Sequence, residues 1–241
     1  MGAIAPGYKA DLIVLDDLGS VALNSVLKAG RWSSEIELSP GEAGSISNSI
    51  RAAVPGAQDL IAPAGSVHVI GVDEGKIITR REVMDSAAPG VARLSVLERY
   101  GRGSRPSNGY VHGFGNLSGA IASSVGHDSH NLIVVGSDLE DMRVALASLI
   151  EVGGGFSVVQ RGRVLERLPL PIGGLMSDRE PVHIKLKLLA LKKASRAIGC
   201  GLSEPFLQLA FLSLPVIPSL KLTDRGLVDV DRFEFIDVRA S

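Results

Sequence analysis

The chain has 241 residues, 45% hydrophobic and 21% charged, with 25 Lys and Arg against 26 Asp and Glu and a formal net charge of -1. That is enough for one large or two modest domains; the composition excludes disorder, and near-neutrality leaves no field to draw nucleic acid or anionic lipid, so neither is expected as a partner. The single Cys200 can form neither an internal disulfide nor a Cys-rich zinc site, so a reducing, cytoplasmic compartment is expected.

The N-terminus has no long apolar run before its first charges, and no signal peptide is expected. From Gly2 to about Trp32, turns alternate with short apolar runs. Leu12-Ile13-Val14-Leu15, bounded by turn residues, predicts a strand buried on both faces of a small β unit. Residues 33–65 are rich in Ser, Gly, Pro and Ala and read as a long connection with one short helix around 47–53. A domain boundary falls near residue 50, giving segments 1–50 and 51–241.

Strands then recur over 67–72, 76–83, 91–97, 109–114, 120–125 and 132–135. A helix follows, announced by Ser137-x-x-Glu140 as a capping box, with Leu139, Met142, Leu146, Leu149 and Ile150 on one face and Gly153-Gly154-Gly155 as its stop. Residues 156–159 and 164–168 form a hairpin across Arg161-Gly162. A second helix runs from about Glu180 to Ile198, with Pro181 in its first turn and Lys192, Lys193 and Arg196 favouring its C-terminal end. Its basic residues read as a solvated face opposite Val182, Leu186, Leu189 and Ala190. Residues 205–214 predict a third, buried helix, and residues 226–238 one or two closing strands. The 106–126 stretch is too polar to span a bilayer, and 205–220 is too short and broken by Pro215 and Pro218. The fold class is α+β, a mixed sheet packed with two or three helices.

The densest chemistry is Gly126-His127-Asp128-Ser129-His130-Asn131, lodged between two apolar strands and therefore on a strand-end loop. His127 and His130 in a tight turn, with Asp128 orienting one imidazole, give a proton shuttle or two or three metal ligands. The alternative is an Asx-type turn whose side chains satisfy the backbone. Glu98-Arg99-Tyr100-Gly101-Arg102 sets a carboxylate beside two guanidiniums, which a surface ion pair explains equally well. No phosphate-cradling glycine loop is present, nor the His-x-Glu and Pro-Cys-x-x-Cys signature of cytidine-type zinc deaminases. Cys200, after a helix and without a neighbouring base in sequence, reads as a core filler rather than a nucleophile.

Taken together the segments resemble the C-terminal part of the bacterial and archaeal adenine deaminases, a branch of the amidohydrolase superfamily. The resemblance rests on Ala5-Pro6-Gly7-Tyr8-Lys9-Ala10-Asp11, Val69-Ile70-Gly71, Glu98-Arg99, Gly113-Phe114-Gly115, Gly119 to Val125 leading into His127-Asp128-Ser129-His130-Asn131, Gly174-Leu175-Met176-Ser177, and Leu214-Pro215-Val216-Ile217-Pro218 with Leu222-Thr223-Asp224. The sequence departs from the family in having Gly126 in place of Ala and Tyr100 where His is common. The resemblance implies hydrolysis of adenine to hypoxanthine and ammonia by water activated on a divalent metal (Mn, Fe or Zn) in a (β/α)8 barrel preceding this region. Residues 1–50 then correspond to a remnant of the amidohydrolase β-sandwich plus a linker, and residues 51–241 to the C-terminal domain.

A barrel takes roughly 250 residues and has no counterpart here. No pair among His68, His112, His127, His130 and His183 matches the family's His-x-His, so no metal ligand carries over. Lowering a water pKa from about 15.7 to about 7 is worth roughly 12 kcal/mol, more than one imidazole supplies, so the chain alone is expected to be inactive. The expected partners are adenine, in the complete enzyme only, an amidohydrolase barrel in cis or in trans, and further copies of the chain. The resemblance makes His127, Asp128 and His130 candidate catalytic groups, with Ser129 and Asn131 as candidate substrate contacts. The competing readings are a non-catalytic assembly or binding module, and, last, an autonomous metal hydrolase using His127, Asp128 and His130.

Overall fold

The structure is a computed structural model describing residues 2–37, 48–103 and 105–240. The chain divides into two compact units, Met1–Gly44 and Ser45–Ser241. In the first, strands β1 (Leu12–Asp17), β2 (Ala22–Lys28) and β3 (Arg31–Trp32) form an antiparallel sheet in that order. Asp11 ties its turn together, accepting from Ala29 N at 2.7 Å and pairing with Lys28 at 3.1 Å. β1 is not buried on both faces as the apolar run suggested: Ile13 is 69% exposed and Val14 also faces solvent. A three-stranded ribbon has no second layer of its own to cover such residues.

The second unit is α+β, built on an eight-stranded sheet. The chain enters it through residues 48–56, which form neither helix nor strand, and a 3-10 turn at Ala57–Leu60. The short helix expected around 47–53 does not form over residues 48–53, and residue 47 lies outside the described residues. Instead Arg51 N donates to Arg99 O at 2.7 Å, and Ile50, Ala52 and Pro55 turn inward.

Next come β4 (Ser66–Gly71), β5 (Arg80–Asp85), β6 (Val91–Leu97), β7 (Ser107–His112), β8 (Ala120–Ser123), β9 (Leu132–Gly136), helix α1 (Leu139–Val152), β10 (Gly155–Gln160) and β11 (Arg163–Pro169). The sheet order is β11-β10-β8-β9-β6-β7-β4-β5, antiparallel throughout except for the parallel pair β4 and β7. β5 starts later than its apolar residues suggest. Thr79 is taken by another partner, its N donating to Pro218 O at 3.0 Å and its hydroxyl to Leu220 O at 2.8 Å, which leaves Ile77 and Ile78 exposed.

The inner strands of the sheet are buried on both faces, while β5 and β11 are largely exposed. Along β9, Ile133 and Val135 join one core with Leu94, Val96, Ile121 and Val158, while Leu132 and Val134 join the other with Met142, Leu146 and Leu149 of α1. This is the period of two expected of a strand with a layer on each side. α1 begins one residue later than the Ser137 box implied, because Asp138 is the cap and accepts from Asp141 N at 2.9 Å. It stops at Gly153, whose φ of +79° suits a residue without Cβ.

The other face carries α2 (Pro181–Ala197), α3 (Pro205–Phe211) and a second antiparallel sheet, β12 (Leu220–Thr223), β13 (Gly226–Asp229) and β14 (Glu234–Ile236). α2 buries a different stripe from the one its basic residues implied. Ile184, Leu188, Leu191 and Ser195 pack inward, while Val182, Leu186 and Leu189 stand exposed. Apolar residues occupy both stripes, and contact with β10 and β11 selects between them. Among the described residues, no helix is long and apolar enough to cross a membrane.

Candidate functional site

Residues 124–131 join β8 to β9 and carry the His-Asp-Ser-His-Asn run at one end of the eight-stranded sheet. Its base is fixed closely. Ser124 Oγ donates to Gly174 O at 2.6 Å and accepts from Gly155 N at 2.7 Å. A Cβ on Gly126 would stand 2.9 Å from Ile133 Cδ1 and 3.4 Å from Ser213 Oγ, so the loop leaves the sheet hard against both. His127 N donates to Ala210 O at 3.0 Å, and its ring meets Phe211 edge-on at 6.1 Å.

The exposed tip holds an imidazole–carboxylate contact: His127 Nδ1 lies 2.8 Å from Asp128 Oδ1. A carboxylate on Nδ1 fixes the ring and leaves Nε2 as the free nitrogen. His130 is arranged differently. It is half-buried at φ +52°, its N donates to Gly126 O at 2.7 Å, and its Nδ1 is buried without a partner. Burial, with help from Arg99, holds its pKa below the ordinary value. Asn131 is 3% exposed, and its carboxamide oxygen accepts from Arg99 N at 3.3 Å. The structure therefore brings His127 and Asp128 together at the tip and turns the Asn131 side chain inward as a strut.

Arg99, at the end of β6, is the strut's counterpart and not part of a surface ion pair. It is 2% exposed, and its guanidinium meets three oxygens: His130 O at 3.0 Å, Ser49 Oγ at 2.8 Å and Gly173 O at 2.6 Å. A guanidinium presents five donors in a rigid fork, which suits it to clamp several chain segments at once. Glu98 makes no ion pair with it. The Glu98 carboxylate accepts from the N–H groups of Arg102 at 2.7 Å and Gly103 at 3.0 Å, and from that of Tyr100. Burial works against that charge, but those donors prevail and hold the carboxyl below its ordinary pKa.

Asp128 and Ser129 also form one wall of a cleft of about 520 Å³ whose other walls are Leu214-Pro215-Val216, Thr223-Asp224-Arg225 and the β13–β14 region with Val228, Phe233 and Phe235. The β8–β9 loop thus meets the distant 213–235 segment around one hollow. Ser213 lines it as well, 3% exposed and with its hydroxyl unpartnered. Ser213 does not stand out from local sequence, whereas Arg99 does, as part of a charged cluster whose clamping role the sequence does not show. The Phe233-x-Phe235 spacing is a signal that could have drawn attention to this wall.

The family described as adenine deaminase C-terminal domain matches residues 71–234. The chain belongs to that family. Curated relatives named adenine deaminase include those of Shewanella halifaxensis, 44% identical over 99% of this chain and 43% of the relative, and Brucella abortus, 44% identical over 98% and 43%. That of Methylobacterium nodulans is 47% identical over 98% of the chain and 44% of the relative. The chain thus spans about two-fifths of the length of these curated adenine deaminases. The family match contains the whole His127–Asn131 loop and all of the cleft except Phe235.

The divalent metal implied by the amidohydrolase resemblance finds no matching donor set among the described residues, where no three His, Cys, Asp or Glu side chains converge so as to hold an ion. His127 and Asp128 bind each other, and the buried Nδ1 of His130 points away from solvent. Cys200 is buried and burial raises its thiol pKa, which suits a core position.

Proposed function

We propose that the chain works as the C-terminal part of an enzyme that hydrolyses adenine to hypoxanthine and ammonia, with attack by water carried out in the portion of the relatives that this chain does not span. The observation that carries the role of this part is the His127 Nδ1 to Asp128 Oδ1 contact of 2.8 Å on an exposed loop. Hydrolysis at C6 adds water and releases the exocyclic amine, which must gain a proton before it departs. His127, its ring held by Asp128, presents Nε2 as the group that gives or takes this proton. The Arg99 clamp keeps the loop in place, and Ser129, on the wall of the cleft, is the candidate substrate contact. The partner is an amidohydrolase barrel, in cis or in trans.

The test is a chimera in which this chain replaces the corresponding region of the Shewanella halifaxensis relative. Adenine turnover is expected in the chimera and not in the chain alone, and His127→Asn is expected to lower kcat by about 100 to 10,000-fold with the fold intact. Enzyme-like turnover by the isolated chain, or full kcat in the His127→Asn chimera, overturns the proposal.

A further inference from the structure

We infer that the cleft between the His127–Asn131 loop and the β12–β14 sheet binds a free purine base, adenine or hypoxanthine, with residues of this chain alone. The choice of purine rests on the adenine reading above; the existence of a site rests on the cleft itself. Its volume of about 520 Å³ falls in the range of small-molecule pockets. Its walls are mainly apolar, and two of them are Phe233 and Phe235, 78% and 61% exposed. Aromatic rings left facing water next to a concave apolar surface offer a stacking platform for a flat heteroaromatic ligand.

Ser213 supplies the second, independent observation. A buried hydroxyl with no hydrogen-bond partner is rare and calls for an explanation. Ser213 also lines the cleft, so its hydroxyl is the donor and acceptor there that a ring nitrogen or exocyclic group would satisfy. The rim selects among ligands by charge. Asp128, Asp224 and Glu234 line the cleft against one lining guanidinium, Arg225, and Arg232 stands 3.6 Å from Glu234 and offsets it in part. Carboxylates are acceptors only, so they favour the amino and ring N–H donors of a base and disfavour the phosphate of a nucleotide.

The test is titration of the 15N-labelled chain with adenine, hypoxanthine and AMP. Saturable amide shifts are expected for the bases at Ser129, Val216, Val228 and Phe233 to Phe235, with AMP bound at least about tenfold more weakly. Phe233→Ala, at a position exposed enough to spare the fold, is expected to weaken adenine binding about tenfold or more. Ser213→Ala is expected to leave thermal stability unchanged or higher while adenine affinity falls about tenfold, a combination that a purely structural serine does not give. Unmoved amides at saturating adenine, shifts confined to another surface, or AMP bound as tightly as adenine overturns the inference. Saturable adenine binding beside an inactive chimera sinks the catalytic proposal and spares the cleft; the converse result spares catalysis and sinks the cleft.

Discussion

Lys221 is fully buried in β12, and its Nζ donates to Ile77 O at 3.2 Å with no carboxylate at hand among the described residues. Burial lowers its pKa from 10.5 to about 8. At neutral pH the fold therefore carries a charged amine at a cost of about 3 kcal/mol. Because the folded value lies below the unfolded one, the penalty is complete below pH 8 and fades as pH climbs toward 10.5. Lys221→Met is expected to raise the urea midpoint at pH 7, by up to about 3 kcal/mol in unfolding free energy, and to lose that advantage near pH 10. An unchanged midpoint at pH 7 contradicts the assignment. Arg99 shows the opposite solution to the same problem: its charge is equally buried, but a fork of donors reaches three oxygens.

At the scale of elements, α1 was legible because Leu139, Met142, Leu146 and Leu149 recur at helical spacing and Gly153 ends the run. The β8–β9 loop was legible because its polar residues interrupt two apolar strands. The stripe buried by α2 was not, since Ile184, Leu188 and Leu191 interleave with Val182, Leu186 and Leu189, and only the neighbouring strands decide between them. Arg99 was visible as a charge but not as a clamp, and Ser213 was not visible at all, for a related reason: their roles depend on partners, or the lack of them, from distant segments. The cap of α1 tests the fine reading. Asp138→Ala is expected to cost about 1 kcal/mol in urea unfolding, whereas Ser137→Ala should cost almost nothing, since Asp138 holds the Asp141 N–H. Equal losses from both variants restore the Ser137 box.

For the whole molecule, two half-buried histidines set the response to mild acid. His68 and His130 each have a buried Nδ1 without a partner. Burial, followed by Arg81 for His68 and by Arg99 for His130, holds both pKa values below 6.5. The unfolded chain thus binds protons that the folded chain refuses, so stability is full above pH 6.5 and declines as pH falls through that value. Urea midpoints are expected to drop between pH 7.5 and 5.5, and the double variant His68→Gln, His130→Asn to flatten the slope; Asn tolerates the positive φ at residue 130. A wild-type midpoint constant over that interval refutes this.

The two outermost strands of the eight-stranded sheet, β5 with Arg80, Arg81, Glu82 and Asp85 and β11 with Arg163, Glu166 and Arg167, are dense in charge. Docking a foreign strand onto either border would strip water from those groups, so the borders repel fibril-like growth. Two neighbouring molecules can crowd together in a concentrated NMR sample without knitting their sheets into one.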